Sequence, residues 1–493
     1  MKSSVILAID QGTTGTRAIL YDREGVPHSS AYQEFTQHYP RPGWVEHNPL
    51  EIWHSVQAVV GKAIAQARLK ATAIHAIGIT NQRETTLLWD RLSGKPVHPA
   101  IVWQDRRSAS FCEALKRRGA EPLFRDCTGL VLDPYFSGTK IAWMLHHIVG
   151  LRRKARLGHL LFGTIDTWII WNLTGGKSHS TDLTNASRTL ILNIKKKCWD
   201  DELMRNLDIP KSILPEVMES GAVFGETVQQ GPFVKGIPIH AVMGDQQAAL
   251  YGQGCYRKGD SKNTYGTGCF IMTNLGEVFR RPPFGLLATL ACNERGHSVY
   301  ALEGAIFIAG AAIQWLRDGL GFFEHARESE AMAKSVRDSG GVTVIPALTG
   351  LGSPYWNPHV RGMITGLTRG TKREHLVRAA LESLGHQTAD VMDLMNRYSG
   401  GVHALKVDGG ATSNRFLMQF QADILGTPIL VSDMAESTAW GVAKLAALKS
   451  GFWPSLQKVD RRRKYQCFRP RLASSQRKKL RQVWQREMAR LLK

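Results

Sequence analysis

The chain has 493 residues, 43% of them apolar and 21% charged, with 47 Gly, 20 Pro, 7 Cys and a formal net charge of +21. At roughly 100–200 residues per domain this is enough for two or three domains, and the apolar fraction excludes a disordered or low-complexity chain. No apolar run approaches the roughly 20 residues that span a bilayer, so no transmembrane segment is expected. Asp10 cuts the first apolar run, Val5–Ile9, too early for a secretory leader. Seven scattered cysteines without a CxxC pair argue against a disulfide framework or a zinc site and predict a cytoplasmic protein. Much of the positive charge lies in residues 461–493, where 13 Lys and Arg face one acid. There Leu480, Val483, Trp484, Met488 and Leu491 recur at helical spacing, which predicts a basic amphipathic helix lying on the body. A contact with a membrane surface or a polyanion is the competing reading. No zinc finger, RNP motif or basic zipper accompanies the tail, so no nucleic-acid partner is expected.

In chain order, Val5–Ile9 reads as a buried strand, Asp10-Gln-Gly-Thr-Thr-Gly15 as a Gly- and Thr-rich turn, and Arg17–Tyr21 as a second strand. Leu50–Lys70 reads as a helix, Ile74–Thr80 as a buried strand, Ala100–Val102 as a short one, and Gly236–Met243 as another. After the glycines of 252–259, a plausible hinge, the opening unit returns. Ser261-Lys-Asn-Thr-Tyr-Gly-Thr-Gly268 leads into a strand over Cys269–Thr273, with Gly266-Thr267 matching Gly12-Thr13. Gly304–Leu316 reads as a buried helix, and Arg373–Asn396 as a helix opened by a Thr371-x-x-Glu374 capping box. Leu405–Asp408 reads as a strand ending in Gly409-Gly410, with Ser413 or Asn414 capping the next helix. This alternation predicts an α/β protein with mostly parallel sheets, built from two domains of like fold, residues 1–252 and 253–493.

The chemistry gathers at strand ends, where open α/β sheets place their ligands. Glycines let backbone N–H groups approach an anion, and threonine hydroxyls add donors, so the two Gly/Thr turns could close on a polyphosphate from either side. Arg17 could supply a cationic clamp. Two ordinary hairpin turns are the alternative. Asp245 follows an apolar strand and is either the N-cap of helix 246–253 or a carboxylate that takes a proton from a hydroxyl nucleophile. Arg83 and Glu84, in Thr80-Asn-Gln-Arg83-Glu84-Thr, could hydrogen-bond vicinal hydroxyls or form a surface salt-bridge loop. Trp103 could pack on a carbon skeleton or in a core, and the Tyr135 hydroxyl could meet a ligand or a loop backbone.

Together these stretches resemble the FGGY carbohydrate-kinase family over essentially residues 4–453. The resemblance is carried by DQGTTGTRA, PGWVEHNP, GITNQRETT, DPYFSGTK, TNASRT, GDQQAAL, KNTYGTGCF, YALEG and VDGGATSN. GITNQRETT with GDQQAAL points to the glycerol branch. The resemblance implies two actin-like, ribonuclease-H-like domains with a catalytic cleft between them. It implies transfer of the γ-phosphoryl group of Mg²⁺-bound ATP to glycerol. Carried over, Asp245 resembles the general base, and Arg83, Glu84, Tyr135 and Gln246 the hydroxyl-binding residues. Trp103 and Phe270 resemble aromatic walls, and Asp10 the acid that holds Mg²⁺. Thr13, Thr14, Gly15, Arg17, Gly266 and Thr267 resemble phosphate binders, and Gly310, Gln314, Gly410 and Asn414 the remaining nucleotide contacts. Gly15 stands where relatives commonly carry Ser. The expected assembly is a homodimer or homotetramer. A kinase for another polyol or ketose, and a non-catalytic actin-like nucleotide switch, are the alternatives.

Overall fold

The computed structural model describes residues 4–434, 436–460 and 464–493, so Arg461–Arg463 of the basic tail lie outside the described residues. Two mixed sheets organise the chain. In the first, strands β1 (Val5–Gln11), β2 (Gly15–Tyr21), β3 (Pro27–Glu34), β4 (Ile74–Asn81) and β5 (Ile239–Gly244) lie in the order β3-β2-β1-β4-β5. The strands of the second are β6 (Ser261–Tyr265), β7 (Cys269–Gly276), β8 (Leu287–Cys292), β9 (Ser298–Ile306), β10 (Leu405–Gly409), β11 (Ile429–Ser432) and β12 (Tyr465–Phe468). They run β8-β9-β7-β6-β10-β11-β12.

Stripped of its outer strands β8 and β12, the second sheet repeats the first. An opening strand pairs antiparallel with its hairpin mate on one side and parallel with a later strand on the other. Two units of like topology, each opening on a Gly/Thr turn, are therefore present. The expectation of mostly parallel sheets is corrected: β1, β2 and β3 are antiparallel, as are β6, β7, β9 and β8, and the tips 12–14, 22–26, 266–268 and 293–297 are too short for anything but a strand reversal.

Helix α1 (Pro49–Ala67) begins with Pro at its first position, and the Asn48 side chain accepts from the Leu50 N–H at 2.9 Å. Its buried face (Ile52, Trp53, Val56, Val59, Val60, Ala63) covers the first sheet; it ends at Ala67, three residues before the expected Lys70, with Arg68 in the left-handed conformation. Helices α2 (Asp245–Gly252), α3 (Gly310–Asp318), α4 (Arg373–Ser399), α5 (Arg415–Leu425), α6 (Ser437–Lys449) and α7 (Ser474–Leu491) complete the frame. On the other face of the first sheet lies α6, whose Ala439, Trp440, Val442, Ala443 and Ala446 share a core with Ile6, Ala8, Ala76 and Met243. Conversely, Leu250 of α2 packs with Met272, Ala291, Val299 and Ala301 of the second sheet. The two helices cross closely: a Cβ added at Gly441 would strike the Ala248 carbonyl, and one at Gly252 the Ser437 carbonyl.

Three further expectations are corrected. The stretch Gly304–Leu316 is not one helix: its first residues finish strand β9, and the helix begins at Gly310. The continuous apolar run hides that boundary because both parts are buried. Helix α4 is not opened by Thr371 and Glu374. The Thr371 hydroxyl accepts from the Thr368 N–H at 2.9 Å, and His375 Nδ1 accepts from the Lys372 N–H at 3.0 Å. Finally, Asp245 is not an N-cap. Gly244 holds that place, and Asp245 is the first helical residue, its Oδ1 accepting from the Gln246 N–H at 2.7 Å. No helix among the described residues is long and apolar enough to cross a membrane.

Candidate active site

The carboxyl ends of β1, β4 and β5 lie side by side, because Asp10 pairs with Thr80 and Gly244 with Asn81 across parallel strands. Asp10, the polar run after Thr80, and Asp245 are thus delivered to one rim by the sheet itself. The run is not a surface loop: Arg83 and Glu84 are 2% and 1% exposed. Glu84 sits in the left-handed region (φ 59°), a costly conformation for a residue with a side chain. Its carbonyl accepts from Ser137 Oγ at 3.0 Å and Thr86 Oγ1 at 2.8 Å, which hold it there.

Around Arg83 the donors are fully directed. Its Nε lies 3.2 Å from Asp245 Oδ1, Nη1 donates to Glu303 Oε2 at 2.6 Å, and Nη2 donates to Glu303 Oε1 at 3.1 Å and to the Tyr135 hydroxyl at 3.5 Å. Burial opposes the Arg83 charge, but Glu303 and Glu84 outweigh it and keep the guanidinium firmly protonated. Burial likewise pushes the Tyr135 phenol up, so it stays a neutral hydroxyl. Trp103 packs edge-on against Tyr135 at 5.6 Å and against Phe270 at 6.3 Å, which makes an aromatic wall from both halves of the chain. The Trp103 indole N–H donates to Thr13 Oγ1 at 2.9 Å and ties that wall to the first Gly/Thr turn. Gln246 Oε1 accepts from Lys262 Nζ, whose own pKa burial lowers to about 8.

The two turns differ in their support. In the first, the Gly12 N–H donates to the Gly15 carbonyl at 2.9 Å. A Cβ at Gly15 would sit 2.5 Å from the Tyr32 hydroxyl and 2.7 Å from the Gln33 carbonyl, so this position has no room for a side chain unless Tyr32 and the Gln33 backbone shift. Thr14 is exposed beside that same Tyr32 hydroxyl. In the second, the Gly266 N–H donates to the Gly268 carbonyl at 2.8 Å, and the Gly310 N–H to the Gly266 carbonyl at 3.1 Å, which docks the turn on the N-terminus of α3. Gly266 and Thr267 are exposed. The first N–H groups of α3 are spent on this docking, those of Gly310 and Ala311 donating to the Gly266 and Thr267 carbonyls, so the helix start braces the turn.

Across the gap Arg17 pairs with Glu436, at the head of α6. Burial, then the charges of Glu436 and Asp245, push Asp10 up to about 7. Register places Gly409 beside Tyr265, and hence Gly410 near Gly266. Asn414, not Ser413, caps α5, accepting from the Leu417 N–H at 2.9 Å, while its amide lies 3.3 Å from Ser329 Oγ. Gln314 is exposed on α3. Among the described residues neither Gln314 nor Asn414 hydrogen-bonds to another candidate residue.

Known proteins with the same sequence pattern identify the kind of molecule that carries these residues. The N-terminal-domain model of the FGGY family of carbohydrate kinases matches residues 5–252, and the C-terminal-domain model matches residues 261–450. This chain belongs to the FGGY family of carbohydrate kinases. It is 54% identical to a glycerol kinase from Carboxydothermus hydrogenoformans, covering 99% of this chain and 98% of that one. It is 53% identical to glycerol kinase 2 of Thermotoga maritima, with 99% and 98% covered. The crystal structure of Plasmodium falciparum glycerol kinase with ADP superposes with a TM-score of 0.93 at 35% identity, over 100% of this chain and 99% of that one.

For an FGGY kinase the notable residues are those that received no role from the sequence, although Arg188, Gln247 and Glu303 fall within TNASRT, GDQQAAL and YALEG. Arg188 is fully buried, with Nε donating to Glu84 Oε1 at 2.6 Å and Nη2 to Glu303 Oε1 at 2.9 Å. Glu303 is 0% exposed on β9; burial alone would raise it, but Arg188 and Arg83 outweigh burial and hold it at about 2. Besides its place in YALEG, its signal in the sequence is a lone acid inside the apolar run Val299–Ile306. Gln247, the second Gln of GDQQAAL, accepts from Arg83 at 3.2 Å, and the charge of Glu436, which no quoted motif contains, acts on Asp10.

Proposed function

We propose that this chain transfers the γ-phosphoryl group of ATP to a terminal hydroxyl of glycerol, giving sn-glycerol 3-phosphate and ADP. The observation that carries the reading is one side-chain cluster joining Arg83, Glu84, Tyr135 and Asp245 beside the Trp103–Phe270 wall, tied to the first Gly/Thr turn through Thr13. Donors and acceptors suited to three hydroxyls, beside an apolar wall for a three-carbon skeleton, fit a polyol better than a charged sugar acid. The near-complete coverage of glycerol kinases at over half identity supports the same substrate.

In this reading Arg83, Glu84, Tyr135 and Gln246 hold the hydroxyls. Asp245, whose side chain is 33% exposed, takes the proton of the attacking hydroxyl. Thr13, Thr14, Gly15, Arg17, Gly266 and Thr267 hold the phosphates, and Gly310, Gln314, Gly410 and Asn414 the rest of the nucleotide. Among the described residues no group of three or more His, Cys, Asp or Glu side chains could hold a metal ion. Asp10, pressed by two other carboxylates, nonetheless suits a cation that arrives with the nucleotide and is bound largely through phosphate and water. Mg²⁺ there would supply charge neutralisation on the phosphates. Positioning and charge stabilisation then do most of the work. We place the activity in a reducing cytoplasm, where all seven cysteines would stay free, as they are here.

The test is ADP release with Mg·ATP and glycerol, erythritol, xylulose, gluconate, dihydroxyacetone or no acceptor. Fast turnover with glycerol alone supports the reading. Turnover of a different acceptor would make this a kinase for another polyol or ketose, and equal ATP hydrolysis with every addition would leave only a nucleotide switch.

A further inference from the structure

Four buried charges form a ring around the proposed hydroxyl-binding residues, its last link a 3.8 Å ion pair between Arg83 Nε and Glu84 Oε1. Arg83 and Arg188 both donate to Glu303 Oε1, at 3.1 and 2.9 Å, Arg83 also holds Glu303 Oε2 at 2.6 Å, and Arg188 Nε holds Glu84 Oε1 at 2.6 Å. Glu303 stands on β9 of the second sheet; the other three belong to the first 252 residues. We propose that Glu303 and Arg188 are positioning residues for the acceptor: they touch no reacting atom, but they fix the planes in which Arg83 and Glu84 present themselves to its hydroxyls. The inference rests on the reading of that pocket as an acceptor site.

The geometry supports a positioning role on three counts. A bidentate carboxylate fixes a guanidinium in plane and in rotation, which a single hydrogen bond does not. Arg188 commits one oxygen of Glu84, so the torsion of that carboxylate is set from behind, while the backbone of Glu84 is held in the left-handed region from a separate direction. Arg188 is itself kept in place by the faces of Tyr135 and Phe136, at 5.5 and 5.1 Å from its Cζ, so the same guanidinium orders a third residue of the pocket. Because Glu303 comes from the other half of the molecule, the acceptor pocket has its full geometry only when the two halves are in register.

The test compares wild type, Arg188→Met, Glu303→Gln and Arg188→Lys by steady-state kinetics, with whichever acceptor of the panel wild type turns over fastest, and confirms folding by circular dichroism. Arg188→Met and Glu303→Gln are expected to raise the acceptor KM at least about tenfold, the scale of a charge-assisted hydrogen bond. The ATP KM should move less than about threefold, and Arg188→Lys should recover part of the loss. Folded Arg188→Met with an unchanged acceptor KM, or with both KM values rising together, overturns the inference. Should Arg188→Met and Glu303→Gln fail to fold, Arg188→Lys decides, since a wild-type acceptor KM there overturns it too. A wild type inactive on glycerol but active on another acceptor would overturn the glycerol assignment alone, and the ring would still be judged on that acceptor.

Discussion

Asp245 and Tyr135 make opposite demands on a kinetic experiment. Asp245→Asn keeps size and the hydrogen bond to the Gln246 N–H while removing the basic oxygen. It is expected to lower turnover by at least about 100-fold with ATP binding nearly intact, measured by single-turnover kinetics and calorimetry. Near-normal turnover would exclude Asp245 as the base. For recognition, Arg83→Ala is a poor probe, since removing one partner of a buried ion pair costs about 3–5 kcal/mol and leaves Glu303 on Arg188 alone. Tyr135→Phe is cleaner. It deletes one hydroxyl, keeps the ring against Trp103, and should raise the glycerol KM up to about tenfold with little change in the ATP KM.

At the scale of elements, the C-terminal helix is a docked part of the body. Trp484 stacks on His386 of α4 at 5.1 Å and donates its indole N–H to Asp390 Oδ2 at 2.8 Å, and Arg481 bonds the His386 carbonyl at 2.9 Å and the same carboxylate. Trp484 and Met488 are buried and Leu491 packs beside them, but Leu480 and Val483 are 37% and 41% exposed, so the apolar face is narrower than its spacing suggested. Trp484→Ala should cost about 3–5 kcal/mol, read as a lowered Tm. Burial, then the Arg481 charge, lowers His386 to about 3 from an ordinary 6.5. The unfolded chain therefore takes up a proton below about pH 6.5 that the folded chain refuses, and stability falls as pH falls from there. The loss approaches about 1.4 kcal/mol per pH unit. His386→Phe, which keeps the stack, should flatten this part of the Tm–pH curve; an unchanged slope would assign it to other groups.

The hairpin units were legible in the sequence because Gly and Thr at a strand tip leave a local signature, whereas the cap of α5 was narrowed only to Ser413 or Asn414 before the structure chose Asn414. Sheet direction was not, because a run of apolar residues fits a parallel or an antiparallel neighbour equally well. Glu303 and Arg188 were illegible as site residues for a different reason. Their meaning lies in partners 220 and 104 residues away, Arg83 and Glu84, and no local spacing encodes that meeting.

For the whole molecule, the contact between α2 and α6 is the decisive one. Gly441→Ala would force these helices apart against the Ala248 carbonyl, at a cost of about 1–3 kcal/mol, so a Tm lowered by several degrees is expected. Because the two halves meet there, the dependence of ATP turnover on the acceptor should weaken as well, which ADP release with and without glycerol would record. The crossing is also where the two halves approach most closely through backbone, Gly441 lying against the Ala248 carbonyl and Gly252 against the Ser437 carbonyl. Asp245 lies three residues from Ala248, about 4.5 Å along the helix axis, whereas the phosphate turns lie at the tips of two hairpins. In a rocking motion, travel grows with distance from the pivot. Any rocking of the two halves about this crossing would therefore move the Gly/Thr turns farther than Asp245, the proposed proton acceptor.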